Sequence, residues 1–158
     1  MLNDPNSVTT QFYDGWEVYQ QNLIKAIAPL TDEQLALTAG PGLRSVMDLA
    51  EHVISVRAGW FLGAGADALD IEPLLTWSDH DAPAHSAAEL VEGLELTWKM
   101  MHDALAKWTP ADLQDTFEDE GEYPTRKWMV WHVIEHDLHH GGEISYSLGM
   151  HGIRGIDI

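Results

Sequence analysis

Apolar residues recur every three or four positions in four long segments of the sequence, which is the spacing of one face of an α-helix. The first segment shows the pattern at five positions: Phe12, Trp16, Tyr19, Leu23 and Ile27. No stretch shows a convincing strand pattern. Because each such helix must bury its apolar face against another, the sequence predicts an all-α fold, with a four-helix bundle of the up-and-down type as the default.

Capping signals indicate where the later helices begin. Thr31 with Gln34, and Ser86 with Glu89, match the capping-box pattern, in which two side chains satisfy free backbone N–H groups at a helix start. They predict the starts of a short helix and of the third long helix. Ser45 follows Pro-Gly and is the expected N-cap of the second long helix.

A long connection, roughly Asp67 to His85, separates the second and third long helices and contains Pro73 and Pro83. Connections of this length are uncommon in compact domains and often cover a functional site. The fourth long helix is expected to begin after Thr125 and to extend to about residue 148. With 158 residues and 45% hydrophobic content, the chain is interpreted as a single domain over residues 1–158.

The charge of the chain limits its partners. The formal net charge is −18, with only eight Lys and Arg residues, so nucleic acid and anionic membranes are not expected partners. No apolar run reaches the roughly 18 residues that span a membrane, and no signal-peptide pattern is visible, which favours a cytoplasmic protein. The absence of cysteine excludes disulfides, thiolate metal ligands and a cysteine nucleophile.

Histidines are concentrated in the fourth long helix, where the stretch WHVIEHDLHHGGEIS holds four of the nine in the chain. His136 and His140 lie one turn apart and about 40° apart around the helix axis. Three apolar residues lie near them on the same side: Met129, Val133 and Ile144. Two imidazoles at positions i and i+4 are the arrangement that a helix offers to one metal ion.

A metal ion needs a third ligand, and the second long helix contains a single histidine, His52. If that helix and the fourth run parallel, their N-caps lie at the same end. His52 then lies about 6 Å along the bundle from His136 and level with His132, since a helix rises about 1.5 Å per residue. The spacing therefore leaves the pairs His132/His136 and His136/His140 both open.

The segments LRSVMDLAEHVISVRAGW and WHVIEHDLHHGGEI together resemble the DinB/YfiT-like four-helix-bundle metalloproteins. The resemblance covers nearly the whole chain, including the helix order, the H-x-x-x-H-x-G-[QE]-I pattern and the LGMHG tail. It implies that His52, His136 and His140 bind one divalent transition-metal ion, with zinc or nickel favoured over iron, manganese or copper. It also implies that Gly142 allows close helix packing. Glu143 stands where the family commonly has Gln, and adds a carboxylate near His140.

Some members of this family are metal-dependent transferases that join a small cellular thiol to an electrophile. The resemblance therefore implies a small-molecule substrate and a low-molecular-weight thiol, and a homodimer is an arrangement that the family often adopts. Glu143 and His132 are candidates to orient a ligand or shuttle a proton. Arg44 and Arg126, at the starts of the second and fourth long helices, are candidates to bind an anionic thiol. The alternatives are a metal-dependent hydrolase, a non-catalytic metal-binding stress protein, and a bundle whose histidines are only structural.

The remaining histidines have simpler interpretations. His139 is expected to point away from the pair, toward solvent or an interface, and four others are expected at the surface: His80, His85, His102 and His151. A second apolar stripe on the fourth helix contains Trp128, Trp131, Ile134 and Leu138. Core packing is the favoured interpretation of this stripe, and a dimer interface is the alternative.

Overall fold

The computed structural model describes residues 8–67 and 70–157, with side chains from residue 14 onward. It contains five α-helices: α1 (Val8–Ile27), α2 (Asp32–Leu35), α3 (Val46–Gly63), α4 (Ala87–Lys107) and α5 (Arg126–Met150). No strand is present in these residues, and none of their helices is long and apolar enough to cross a membrane. The predicted all-α four-helix bundle is confirmed, with α1, α3, α4 and α5 as its long helices.

The predicted N-caps are present, and they determine where the histidine-bearing helices begin. Capping boxes form at Thr31 and at Ser86, as the sequence predicts. Ser45 forms a further one, since its hydroxyl accepts from the Asp48 amide at 3.1 Å and Asp48 accepts from the Ser45 amide at 2.9 Å. At the start of α5, the Thr125 hydroxyl accepts from the backbone of the third helical residue.

The directions of the long helices are not those of the predicted up-and-down type, in which α3 and α5 would run parallel. The Arg126 side chain at the start of α5 donates to the carbonyl of Ala64, just after the end of α3, at 2.9 Å. The two helices are therefore antiparallel, and Ser45 and Thr125 lie at opposite ends of the bundle. The parallel arrangement was wrong because the caps show where a helix begins and not which way it runs.

The long connection explains these directions. α3 and α4 run parallel, since Ile54 lies against Gly93 near their middles and Phe61 stacks on Trp108 at their ends, with ring centroids 5.8 Å apart. Two successive helices can be parallel only if the chain between them returns along the bundle. Part of this return is a 3₁₀ turn over Glu72–Thr76, whose Leu74 is buried and accepts a hydrogen bond from the Ser55 hydroxyl of α3 at 3.0 Å.

His85, at the end of this connection, is not the surface residue that the sequence suggested. Its side chain is only 9% exposed, its Nδ1 lies 2.7 Å from a carboxylate oxygen of Glu51, and its ring stacks on Trp77 with centroids 3.9 Å apart. The expectation was wrong because the residues that cover His85 are distant in sequence. The other three histidines expected at the surface are exposed: His80, His102 and His151.

A fully buried ion pair crosses the centre of the bundle. Arg57 of α3 donates from Nε to Asp137 Oδ1 at 2.9 Å and from Nη2 to Asp137 Oδ2 at 2.8 Å. The Trp16 indole of α1 donates to the same carboxylate at 2.7 Å. Gln20 completes the network, since it accepts from Arg57 Nη1 at 2.7 Å and donates to the Leu94 carbonyl of α4 at 3.0 Å. The network therefore joins all four long helices.

The glycine at which α5 is closely packed is Gly141 and not Gly142. A β-carbon at Gly142 would meet nothing within 4 Å, so the expectation that this residue allows close packing was wrong. At Gly141, a β-carbon would overlap the hydroxyl of Tyr19 and lie 3.0 Å from Ile156 Cδ1. The two glycines are about 100° apart around the helix, so only one of them can face α1.

Three of the four residues in the second apolar stripe of α5 face outward, whereas Ile134 is partly buried against the core, as predicted. The side chains of Trp128 and Leu138 are each 48% exposed, and Trp131 is 60% exposed, so core packing was the wrong interpretation for these residues. The core-facing side of α5 is instead formed by Met129, Val133, Ile144 and Leu148, which are fully buried. The alternative, a dimer interface on this face, stays a prediction.

Candidate metal centre

Three imidazole rings converge between α3 and α5, where His140 is buried and His52 and His136 are partly buried. His52 Nε2 lies 3.2 Å from His136 Nε2. The His140 ring lies with its centroid 4.8 Å from that of His52 and 4.3 Å from that of His136. One nitrogen from each ring lies within 4.8 Å of the others, a spacing at which all three can bind one ion.

The spacing of these nitrogens fits a transition-metal ion. Imidazole nitrogen binds zinc at about 2.0–2.1 Å, so two nitrogens 3.2 Å apart subtend an angle of about 100° at such an ion. This angle lies between those of octahedral and tetrahedral coordination. Imidazole is also a ligand type that suits zinc, nickel, copper and iron. The donor set and its geometry therefore fit the ion that the sequence resemblance implies.

The rings of His52 and His136 are held in the neutral form that binds metal. Burial lowers the pKa of His52 to about 4, with smaller contributions from the positive charges of Arg44 and His140. Burial also lowers the pKa of His136 to about 3, helped by the other two rings. His136 Nδ1 is buried without a hydrogen-bond partner in the described part of the chain. Unpartnered buried polar atoms are uncommon in protein interiors and call for an explanation, such as a functional role of the ring.

Glu143 orients the third ring. His140 Nδ1 lies 2.6 Å from Glu143 Oε2, which leaves Nε2 of the same ring free to face the other histidines. A carboxylate bound to the second nitrogen of a histidine is the usual partner of a metal ligand, because it fixes the tautomer and the ring orientation. His139 is 67% exposed and points outward, with its Nε2 3.8 Å from Glu143, so these two residues and His140 form a second, more exposed group of donors.

His132 lies one turn from the three-histidine group and is not part of it. Its ring stacks on Trp128 at a centroid distance of 4.8 Å and packs edge-on against Trp60 at 5.2 Å. The ring centroid is 6.3 Å from that of His136. The structure thus brings together the pair His136/His140, which the sequence spacing alone left undecided against His132/His136.

Two cavities flank the three histidines, and Arg44 lines both. The larger, of about 490 Å³, reaches His140 and Glu143 and has an apolar wall that includes Leu43, Leu49 and Tyr146. The smaller, of about 300 Å³, reaches His52 and is lined largely by polar residues of α3 and of the long connection, including Glu51, Asp79 and His80. A small molecule in either cavity would lie beside a candidate ligand and near the Arg44 guanidinium.

Arg126 is not brought to this site. Because α3 and α5 are antiparallel, its position at the start of α5 lies at the opposite end of the bundle from Arg44. There it donates to the Ala64 carbonyl, pairs with Asp115 at 3.3 Å and lies over the Trp108 ring at 4.8 Å. Of the two arginines considered as anion-binding residues, the structure places only Arg44 beside the histidines.

Sequence reasoning missed the two buried carboxylates near the site. Asp137 lies between the two α5 histidines and pairs with Arg57, and Glu51 precedes His52 and pairs with His85. One signal was available, since Arg57 is a single charge within an otherwise uncharged and mostly apolar run, VISVRAGW. Such a charge on a core-facing helix is rare unless it is paired.

A four-helix bundle in which one histidine of α3 meets two histidines of α5 defines a class of metal-binding helical proteins. The chain belongs to the DinB superfamily, whose sequence profile matches residues 16–144. This confirms the family that the sequence resembles.

Two solved structures share the fold of this chain. A DinB-like protein from Bacillus cereus ATCC 10987 is 22% identical with a TM-score of 0.77, and the match covers 93% of this chain and 95% of that one. A conserved protein from Enterococcus faecalis is 14% identical with a TM-score of 0.60, and the match covers 90% and 96% of the two chains. A search of curated proteins finds no match. At these identities, the similarity to the solved structures supports the fold alone.

Proposed function

We propose that this protein is a metal-dependent enzyme that transfers a small thiol to an electrophile, with one divalent transition-metal ion bound by His52, His136 and His140. The observation that carries the proposal is the convergence of three imidazoles beside two cavities that share Arg44. Structural zinc sites are normally closed by four protein ligands, whereas catalytic sites have three and keep a position for water or substrate. Zinc and nickel are the favoured ions, with iron, manganese and copper as alternatives.

Such an ion, when bound, supplies positive charge that favours the thiolate, which is the reactive form of sulfur. The chain contains no cysteine, so the sulfur must come from a small molecule. The larger cavity suits such a ligand, because its apolar wall can bury a carbon skeleton while Arg44 pairs with an anionic group. A cytoplasmic location, where small thiols stay reduced, is part of the proposal.

Glu143 and His132 have different roles in this proposal. Glu143 holds the His140 ring by its Nδ1, and the carboxylate is about half exposed at the rim of the larger cavity. It is therefore placed both to orient a ligand and to accept a proton from a molecule bound there. His132 is packed between Trp60 and Trp128, one turn from His136, which supports a positioning role rather than proton transfer.

The first experiment is metal analysis of protein that has been purified without an affinity tag. His136→Ala should remove most of the bound metal, whereas His139→Ala should retain it, because His139 lies on the same helix but points to solvent. Equal metal content in both variants and in the wild-type protein would show that the ligands are misassigned. Absence of metal from all of them would favour histidines that are only structural.

The second experiment tests the reaction. The metal-loaded protein is screened with bacillithiol, mycothiol, glutathione and coenzyme A against a chromogenic electrophile. Thiol-dependent turnover that disappears in His52→Ala supports the transferase. Stoichiometric metal without turnover with any of the thiols would contradict it, and would favour a metal-dependent hydrolase or a non-catalytic metal-binding protein.

A further inference from the structure

We infer that the buried Arg57–Asp137 pair is a positioning device for the three histidines, which holds α3 and α5 in the register at which His52 meets His136. This inference rests on the proposed metal site. Arg57 follows His52 by five residues on α3, and Asp137 directly follows His136 on α5. The pair therefore joins the two ligand-bearing helices close to the ligands themselves. In the described residues, it is the one ion pair whose side chains are both fully inaccessible to solvent.

The geometry of the Arg57–Asp137 pair fixes both the distance between α3 and α5 and the orientation of α5 about its axis. Arg57 donates from Nε and Nη2 to the two oxygens of Asp137, at 2.9 and 2.8 Å, which is the bidentate arrangement of a planar guanidinium with a carboxylate. The Trp16 indole donates to Asp137 Oδ2 at 2.7 Å from a third direction. The remaining edge of the guanidinium is held by Gln20 at 2.7 Å. Asp137 is thus held by groups from two other helices, and rotation of α5 about its axis would break these bonds.

The candidate metal site needs this register because its ligands come from two helices. A slip of α3 along α5 by one turn would move His52 by about 5.4 Å, which is more than the entire 3.2 Å separation of the His52 and His136 nitrogens. Apolar contacts between helices tolerate repacking, so they define register weakly. Directional hydrogen bonds between buried charges do not tolerate such a shift, because each displaced group is left unsatisfied.

The energetics also favour a positioning role. Two buried charges lose their hydration, so a buried ion pair contributes little net stability compared with well-packed apolar residues. The best-supported role of buried polar groups is to specify one register among alternatives. In this protein, that register is the one that brings the three imidazoles together. A fixed register reduces the conformational cost of binding an ion, since the two ligand-bearing helices do not have to be aligned at that moment.

The test compares the metal affinity and the Co²⁺ absorption spectrum of folded variants, alongside their unfolding by urea. Arg57→Lys keeps the charge but replaces the planar fork by a single ammonium group. Trp16→Phe is a milder change that keeps an aromatic ring and the ion pair but removes one donor to Asp137. Leu90→Ala is the matched control, because Leu90 is fully buried on α4, which provides none of the three histidines. Affinity is measured by competition with a chromophoric chelator.

We expect Arg57→Lys to bind Co²⁺ at least about tenfold more weakly than the wild-type protein, because removal of groups that orient metal ligands has an effect of this size. The absorption spectrum of its bound Co²⁺ should also be shifted. Trp16→Phe should show a smaller loss of Co²⁺ affinity. If Arg57→Lys does not fold, Trp16→Phe alone tests the inference. Leu90→Ala should be less stable but should keep the wild-type affinity and spectrum.

Wild-type affinity and spectrum in the folded Arg57→Lys and Trp16→Phe variants would overturn the inference, as would an equal loss in Leu90→Ala. If the wild-type protein binds no metal at all, the proposed function fails and the inference falls with it. Metal binding by the wild-type protein distinguishes these two failures, because it is lost only when the proposed function fails.

Discussion

Gly141 and Gly142 are neighbours on α5 whose replacement by alanine should change stability in opposite directions. An alanine β-carbon at Gly141 would overlap the Tyr19 hydroxyl and lie 2.9 Å from its ring carbon Cζ. Tyr19 is only 6% exposed, so its ring is enclosed by neighbouring residues and cannot swing out of the way freely. The same change at Gly142 meets open space.

The magnitudes follow from these contacts. Overpacking costs about 1–3 kcal/mol, and Ala regains up to about 1 kcal/mol of helix propensity over Gly. Because the overlap is with a rigid ring, Gly141→Ala should lose about 1–2 kcal/mol of unfolding free energy. Gly142→Ala should gain about 0.5–1 kcal/mol, since only the propensity contributes. The two variants should differ in Tm by roughly 3–12 °C, given about 2–4 °C per kcal/mol for a domain of this size.

The assay is urea and thermal unfolding followed by far-UV circular dichroism. A Gly141→Ala protein at least as stable as the wild-type protein would refute the argument. Tyr19→Phe in the Gly141→Ala background provides the matched rescue, because it removes the hydroxyl that the new methyl group would meet. It should recover part of the loss, whereas the same Tyr19→Phe change in the Gly142→Ala background should not add stability.

Three further predictions concern the candidate metal centre and the connection between α3 and α4. Chelation should lower Tm and leave a cooperative helical transition, because the core forms without the ion; at a thousandfold excess over Kd the ion adds on the order of 4 kcal/mol. The pKa values of His52 and His136, at about 4 and 3, lie below the ordinary value of 6.5. At pH values between the folded pKa values and 6.5, the unfolded chain therefore binds more protons than the folded chain. Urea unfolding of the metal-free protein should show that its stability falls as the pH drops below about 6.5. His85→Ala removes the contacts with Glu51 and Trp77, so it should make the connection between α3 and α4 easier for a protease to cleave.

Each of these predictions has an outcome that contradicts it. An unfolded circular dichroism spectrum after chelation would show that the ion is required for folding. A metal-free His52→Gln/His136→Gln double variant should show a weaker dependence of stability on pH, and an unchanged dependence would place its origin elsewhere. For His85→Ala, the control is His102→Ala, which alters an exposed histidine of α4. Equal cleavage of the two variants would show that His85 does not hold the connection in place.

The helices and their starts could be predicted because their signals are local. A capping box joins residues three positions apart, and an apolar face repeats within one helix, so neither depends on the rest of the fold. The direction of α5 relative to α3 could not be predicted in this way, because it depends on how the chain returns between α3 and α4. The same assumption of parallel helices made Arg126 a candidate for binding the anionic thiol together with Arg44, although the two lie at opposite ends of the bundle.

The site was predicted in part, for a similar reason. Helical spacing left the pairs His132/His136 and His136/His140 both open, with His52 as the single histidine of its helix. The resemblance to the family then favoured His136/His140. The partners that hold these residues are separated by long stretches of sequence: Arg57 and Asp137 are 80 positions apart, and Glu51 and His85 are 34 apart. A pairing of this kind depends on tertiary packing, which no spacing rule within one helix contains.

The division of the histidines between α3 and α5 has a consequence during synthesis of the protein. His52 and His136 are 84 positions apart, so at about 5–20 residues per second a ribosome needs roughly 4–17 s to make the second after the first. During that interval the nascent chain presents His52 without its two partners, and one imidazole holds a transition-metal ion only weakly. The three-histidine site is complete only after α5 has been made and has docked against α3. The proposed capture of an ion by these residues would therefore be a property of the folded bundle, and a chain that stalls before α5 would not withdraw metal through this site.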